Sequence, residues 1–194
     1  MDGSAVYLTM ASLFLAQAMG IDLSWQQQLI MVGVMMLTSK GTAGLPVAEG
    51  HVATNLLGTI RMTYAFLPLL VGKDDAVVVN VTSALAFVPF PSTPTYSATK
   101  AALHSFSESL RIQLAGADAG VQVIEVVPPG VRTTLMGQQD SDQSMPLDDF
   151  LTETLALLRE KPDAKELVVE RAGFIRDAVA NGSYDDVLTM ISGS

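Results

Sequence analysis

Apolar and polar positions are distributed differently in the two parts of this chain. Residues 4–21 and 23–39 are two long runs broken by a single charge, Asp22. Each approaches the ~20 residues that span a bilayer, and the pattern predicts an apolar helical hairpin. Gly20-Ile21-Asp22 would be its turn and Ser24 a helix N-cap. Hydropathy alone fits a membrane hairpin and a pair of core helices equally well. A signal peptide fits poorly, because the first residues carry Asp2 and no Lys or Arg.

Beyond Pro46 the pattern becomes an alternation of helix and strand. Residues 49–70 read as helix, with Pro68 near the end. Residues 76–82 (Ala-Val-Val-Val-Asn-Val-Thr) form a buried-type strand. A loop punctuated by Pro89, Pro91 and Pro94 follows, then a helix over 96–115 built of good helix formers. A second valine-rich strand covers 121–127 and stops at Pro128-Pro129-Gly130. Residues 138–144 read as a polar loop, 147–159 as an amphipathic helix and 166–170 as a short strand. Two short helices, near 171–180 and 184–191, end the chain. The alternation predicts a parallel α/β sheet with right-handed crossovers.

Composition sharpens the division. Six of the ten methionines fall in the first 36 positions. From His51 onward there are ten basic and seventeen acidic residues, an ordinary solvated surface. The boundary is placed near residues 46–50, giving segments 1–46 and 47–194. The net charge of −9 argues against a nucleic-acid partner. With no cysteine and two distant histidines, no recognisable metal-ligand spacing exists. Absent cysteine also suits a reducing, cytoplasmic compartment.

Candidate chemistry sits in the second segment. Tyr96 and Lys100 are one helical turn apart and project from one face. Ser83 follows the 76–82 strand. A lysine ammonium near a phenol favours the phenolate and lowers its pKa, so Tyr96 becomes a candidate acid/base. Ser83 could hold the same substrate oxygen. Hydride transfer between carbonyl and alcohol needs a nicotinamide, because side chains cannot perform it. Each residue also has a bland reading, Tyr96 with Lys100 as an amphipathic pair and Ser83 as a turn residue. His104 is expected to be structural, and Glu108 and Arg111 to lie on a solvated face.

Taken together, these residues resemble the short-chain dehydrogenases/reductases from about residue 48 onward. Asn80-Val81-Thr82-Ser83 is similar to that family's strand and serine, and Tyr96 through Leu103 to its catalytic helix. The resemblance implies a partial Rossmann-like, doubly wound parallel sheet. It implies Ser83, Tyr96, Lys100 and Asn55 as catalytic residues, Asn55 as the holder of a relay water. Tyr96, Lys100, Pro129, Gly130 and Thr133 would bind the cofactor, NAD or NADP. The substrate would be a small alcohol or carbonyl compound. Helices 55–70 and 96–115 would form a homo-oligomer interface. The family's Thr-Gly-x-x-x-Gly-x-Gly turn, which seats a pyrophosphate on a helix N-terminus, does not occur in this sequence.

Residues 1–46 resemble a different family, the dicarboxylate/amino acid:cation symporters. The resemblance rests on Met1-Asp2-Gly3-Ser4, Ala16 to Leu23, and the small-residue stretch Thr38 to Pro46. It implies a hairpin with a tip of small residues and leaves room for membrane association through 1–46. Three expectations follow: a hydride-transferring oxidoreductase, inactive if the glycine turn is indispensable; a non-catalytic chimeric remnant that dimerises; or a membrane-associated symporter fragment. In a dehydrogenase-like sheet the 76–82 strand should lie between two others, and without its earlier neighbour an open edge is expected.

Overall fold

The computed structural model describes residues 50–193. The apolar hairpin, the symporter-like stretch and its membrane association lie outside the described residues. The chain divides into two compact units, Met1–Gly58 and Thr59–Ser194. Of the first, residues 50–58 are described. They are helical, and Val52–Gly58 is wound as a π-helix.

The second unit is a layered α/β structure. Helix α1 (Thr59–Leu70) leads through a turn to strand β1 (Ala76–Val81). Helix α2 (Pro94–Gly116) returns the chain to strand β2 (Val121–Val127). Helix α3 (Leu147–Glu160) precedes the short strand β3 (Glu166–Val168). Helices α4 (Gly173–Arg176) and α5 (Tyr184–Ser192) close the chain. Most elements fall within two residues of their sequence-derived limits. Three differ: the helix expected over 49–70 is divided between the π-helical stretch and α1, a 3-10 helix (Leu135–Asp140) runs into the loop expected over 138–144, and at 171–180 α4 keeps only four residues between a 3-10 turn (Glu170–Ala172) and further turns.

Among the described residues the sheet has three parallel strands in the order β1-β2-β3. Side chains alternate across it, so each face is built from every second residue. Ala76, Val78, Val121 and Val123 pack under Leu67 and Leu70 of α1 and under Phe106, Leu110 and Leu114 of α2. Val77, Ile124, Val126 and Leu167 pack on Phe150, Leu157 and Leu158 of α3. Helices thus cover both faces, as the near-continuous apolar run of β2 requires. Among the described residues no helix is long and apolar enough to cross a membrane.

β1 has one strand neighbour among the described residues, β2. Its Val79 and Val81 are 46% and 49% exposed. Among the described residues no strand lies on its other side, where the sequence predicts an open edge.

Candidate active site

The site gathers at the carboxyl ends of β1 and β2. Parallel strands present their last residues together there, which makes that edge the usual ligand-binding side of an open α/β sheet. Ser83 leaves β1 in extended backbone and caps the 3-10 turn Ala84–Ala86, its Oγ accepting the Leu85 N–H at 3.2 Å. Pro94 occupies the first turn of α2, where a missing N–H costs nothing. The helix then carries Tyr96 and Lys100 toward β1.

Tyr96 and Ser83 are both buried, and the Ser83 hydroxyl lies near enough to the phenol to act on its pKa. Burial raises the Tyr96 phenol above its ordinary value, and the Ser83 hydroxyl pulls against that rise. Lys100 Nζ donates to the Val81 carbonyl at 2.8 Å and stands 5.6 Å from the centroid of the Tyr96 ring. Burial lowers the Lys100 pKa to about 8. The expectation that Lys100 depresses the Tyr96 phenol is therefore not met in this geometry. The ammonium is engaged by a backbone carbonyl, and desolvation of the phenol dominates.

Pro129 and Gly130 follow β2 directly. Gly130 is exposed, and a Cβ there would make ordinary contact with Ser144 Oγ at 3.4 Å. The loop after it is pinned by Met145 N–H to Gly130 O and by Arg132 N–H to Met145 O, both 2.8 Å. Thr133 is half-buried, its Oγ1 accepting the Leu135 N–H at 3.3 Å. Asn55 lies on the π-helical segment of the first unit. The second unit thus brings together Ser83, Tyr96 and Lys100, and it places Pro129, Gly130 and Thr133 after the neighbouring strand.

Behind Ser83 lies a buried polar chain that sequence reasoning missed. Thr82 Oγ1 donates to Glu125 Oε1 at 2.7 Å. His104 Nδ1 is hydrogen-bonded to both carboxyl oxygens of Glu125, at 2.8 Å to Oε2 and 3.0 Å to Oε1. Glu125 is wholly buried on the α2 face of β2. The signal was a lone glutamate within Val-Gln-Val-Ile-Glu-Val-Val. Glu108 is an exposed neighbour 3.7 Å from the His104 Nε2. Arg111 is not merely solvated: its guanidinium donates to the carbonyls of Val123 and Lys165 at 3.1 and 3.0 Å. Ligand atoms of His104, Glu125 and Glu166 also come within 4.8 Å of one another. The cation already beside Glu166 is Arg176, at 2.8 Å.

A groove of about 520 Å³, lined by Phe87, Phe90, Pro94, Ala98, Tyr184 and Leu188, is separate from this site. Pro94, Ala98 and Ala101 repeat along a stripe of α2 turned away from Tyr96 and Lys100.

A family model of the short chain dehydrogenases matches residues 33–144, more than half of the chain. The chain belongs to this family. The match starts ahead of residue 48, where the sequence resemblance was first placed. The chain is 38% identical over 149 residues to the uncharacterized oxidoreductase DltE of Bacillus subtilis (strain 168), covering 75% of this chain and 58% of that one. It is similar in structure to a short chain dehydrogenase from Burkholderia cenocepacia J2315 solved in complex with NADP. There the TM-score is 0.62 and the identity 28%, over 74% of this chain and 58% of that one. The chain thus spans less than two thirds of the length of either protein. It is also 53% identical over 45 residues to a C4-dicarboxylate transport protein of Rhodopseudomonas palustris (strain BisB18), covering 23% of this chain and 10% of that one.

Proposed function

We propose that this chain carries the proton-transfer half of an oxidoreductase site that interconverts an alcohol and a carbonyl with NAD or NADP. The observation that carries the reading is the gathering of buried Ser83 and Tyr96 with Lys100 beside the phenol ring, at the carboxyl end of β1. In the reducing direction Tyr96 gives its proton to the substrate oxygen, and in the oxidising direction it takes one. A phenol held above its ordinary pKa is fully protonated at neutral pH, which suits the donor role. Ser83 holds the substrate oxygen in line with that phenol.

The nicotinamide end of a dinucleotide fits the residues present. Gly130 leaves room that a Cβ would fill against Ser144, and Lys100 offers donors at the end of β1. Tyr96, Lys100, Pro129, Gly130 and Thr133 would hold it. A bound nicotinamide supplies the hydride donor or acceptor. Lys100 would exchange the Val81 carbonyl for ribose hydroxyls, and Asn55 would hold a relay water, as the family resemblance implies. The Burkholderia relative's complex with NADP favours this class of cofactor.

Titration of the full chain with NADH and NADPH, read by nicotinamide fluorescence, tests the cofactor. Hydride transfer with a panel of small alcohols and carbonyl compounds tests the reaction. Tyr96→Phe should cost on the order of 10²–10⁴ in rate while leaving the melting temperature in place. Unchanged turnover in that variant refutes the assigned acid/base. Absence of dinucleotide binding at millimolar concentration favours a second reading, a non-catalytic remnant. One observation supports that second reading: Lys100 is already bonded to the Val81 carbonyl. Under either reading, helices 55–70 and 96–115 remain the proposed homo-oligomer surface.

A further inference from the structure

We propose that Glu125, clamped between His104 and Thr82, is a positioning residue for the Ser83–Tyr96 pair. The argument is one of connectivity. Tyr96 and Ser83 stand on different elements, α2 and the end of β1, and must stay within hydrogen-bond reach. Glu125 belongs to a third element, β2, and its two carboxylate oxygens grip the other two. Oε1 takes the hydroxyl of Thr82, the residue immediately before Ser83, at 2.7 Å. Oε2 takes Nδ1 of His104 at 2.8 Å, two helical turns beyond Tyr96 on the same face of α2.

The grip is rigid because it is buried. Glu125 is 0% exposed and Thr82 1%. The Glu125 carboxyl group has no water of its own to fall back on, so it depends on Thr82 and on His104, whose side chain is 21% exposed. The backbone adds to it: Thr82 N–H donates to Val126 O at 2.9 Å, tying the same residue to the same strand. His104 is further braced by the Phe87 ring, 4.7 Å away, at the end of the turn that Ser83 caps. One buried carboxyl side chain therefore sets both the height of Ser83 on β1 and the height of Tyr96 along α2.

The inference rests on Ser83 and Tyr96 being the reacting pair, but its test needs neither cofactor nor turnover. The Tyr96 phenol is titrated by NMR of ring-labelled tyrosine in the full chain, its signal assigned by loss in Tyr96→Phe. Ser83→Ala should raise the Tyr96 pKa, because it removes the hydroxyl that lowers it. Thr82→Val and His104→Leu should raise it too, by at least about half as much, and the Thr82→Val/Ser83→Ala double variant should add little beyond Ser83→Ala. Thr82→Ser and His104→Asn, which keep a donor near each carboxylate oxygen, should restore the wild-type titration. A Tyr96 titration unmoved in Thr82→Val and His104→Leu, with only the melting temperature lowered, overturns the proposal. Should Thr82→Val not fold, His104→Gln decides: it keeps a polar side chain but displaces the donor, and an unshifted phenol there overturns the proposal equally. Failed hydride transfer in the wild type would refute the proposed reaction and leave this titration readable.

Discussion

β1 and β2 are neighbouring parallel strands of almost the same composition, yet they live in different surroundings. Val79 and Ile124 are partners in register and face the same side of the sheet. Ile124 is 2% exposed and Val79 is 46% exposed. The difference is not one of hydrophobicity or propensity. β2 is flanked by strands on both sides and lies under α2 and α3, whereas among the described residues β1 is flanked by β2 alone. The apolar pattern of a strand states what it can bury, and its neighbours decide what it does bury.

The sharpest way to break that comparison is to truncate the two partners identically. Ile124→Ala should cost about 2–5 kcal/mol, because it opens a cavity under Phe150 and Leu157 that the sheet cannot close. Val79→Ala should stay within about 0.5 kcal/mol, as at other exposed positions. Urea unfolding of the two variants measures both. Equal losses would mean that β1 is covered in solution, and the contrast would disappear.

The pH dependence of stability sets the end of β1 against its body. Lys100 is lowered to about 8 in the fold by burial, against an ordinary 10.5. Between those values the unfolded chain binds the extra proton, so the Lys100 contribution to stability rises with pH from about 8 to 10.5. It is lost as pH falls through 8. The slope is at most about 1.4 kcal/mol per pH unit. Lys100→Met should flatten it. A slope that survives the substitution would assign the effect to another group.

A smaller effect is expected where α2 meets β2. Arg111 Nε donates to the Val123 carbonyl and its terminal nitrogen to the Lys165 carbonyl. Arg111→Ala should lower stability by about 1 kcal/mol through the loss of these charged donors, partly offset by water at the exposed end. Thermal denaturation measures it. No loss would return Arg111 to the solvated face that its sequence position suggested.

These cases show where sequence reading succeeds. The strands, the long helix α2 and the order Ser83, Tyr96, Lys100 were legible, because periodicity and spacing are local. Arg111 was misread because its acceptors, the carbonyls of Val123 and Lys165, are brought to it by the fold. The phenol of Tyr96 was misjudged for a similar reason. A Tyr-x-x-x-Lys spacing reports proximity, but burial and the Val81 carbonyl decide where the ammonium spends its hydrogen bonds. Glu125 was overlooked because a glutamate in a buried strand makes sense only once its two donors, from positions 82 and 104, are known.

The mildest substitution tests the edge itself. Val79 is exposed on a strand with one neighbour among the described residues, and such an edge offers unpaired backbone groups to another chain. Val79→Lys places a charge there without touching the core. Its folded stability should match the wild type within about 0.5 kcal/mol. Its self-association after partial heating should fall, because a lysine on the edge must be desolvated before a second strand can pair. Light scattering during a thermal ramp reads the difference. An unchanged aggregation rate would show that the β1 edge is already covered or is not the surface through which these chains meet.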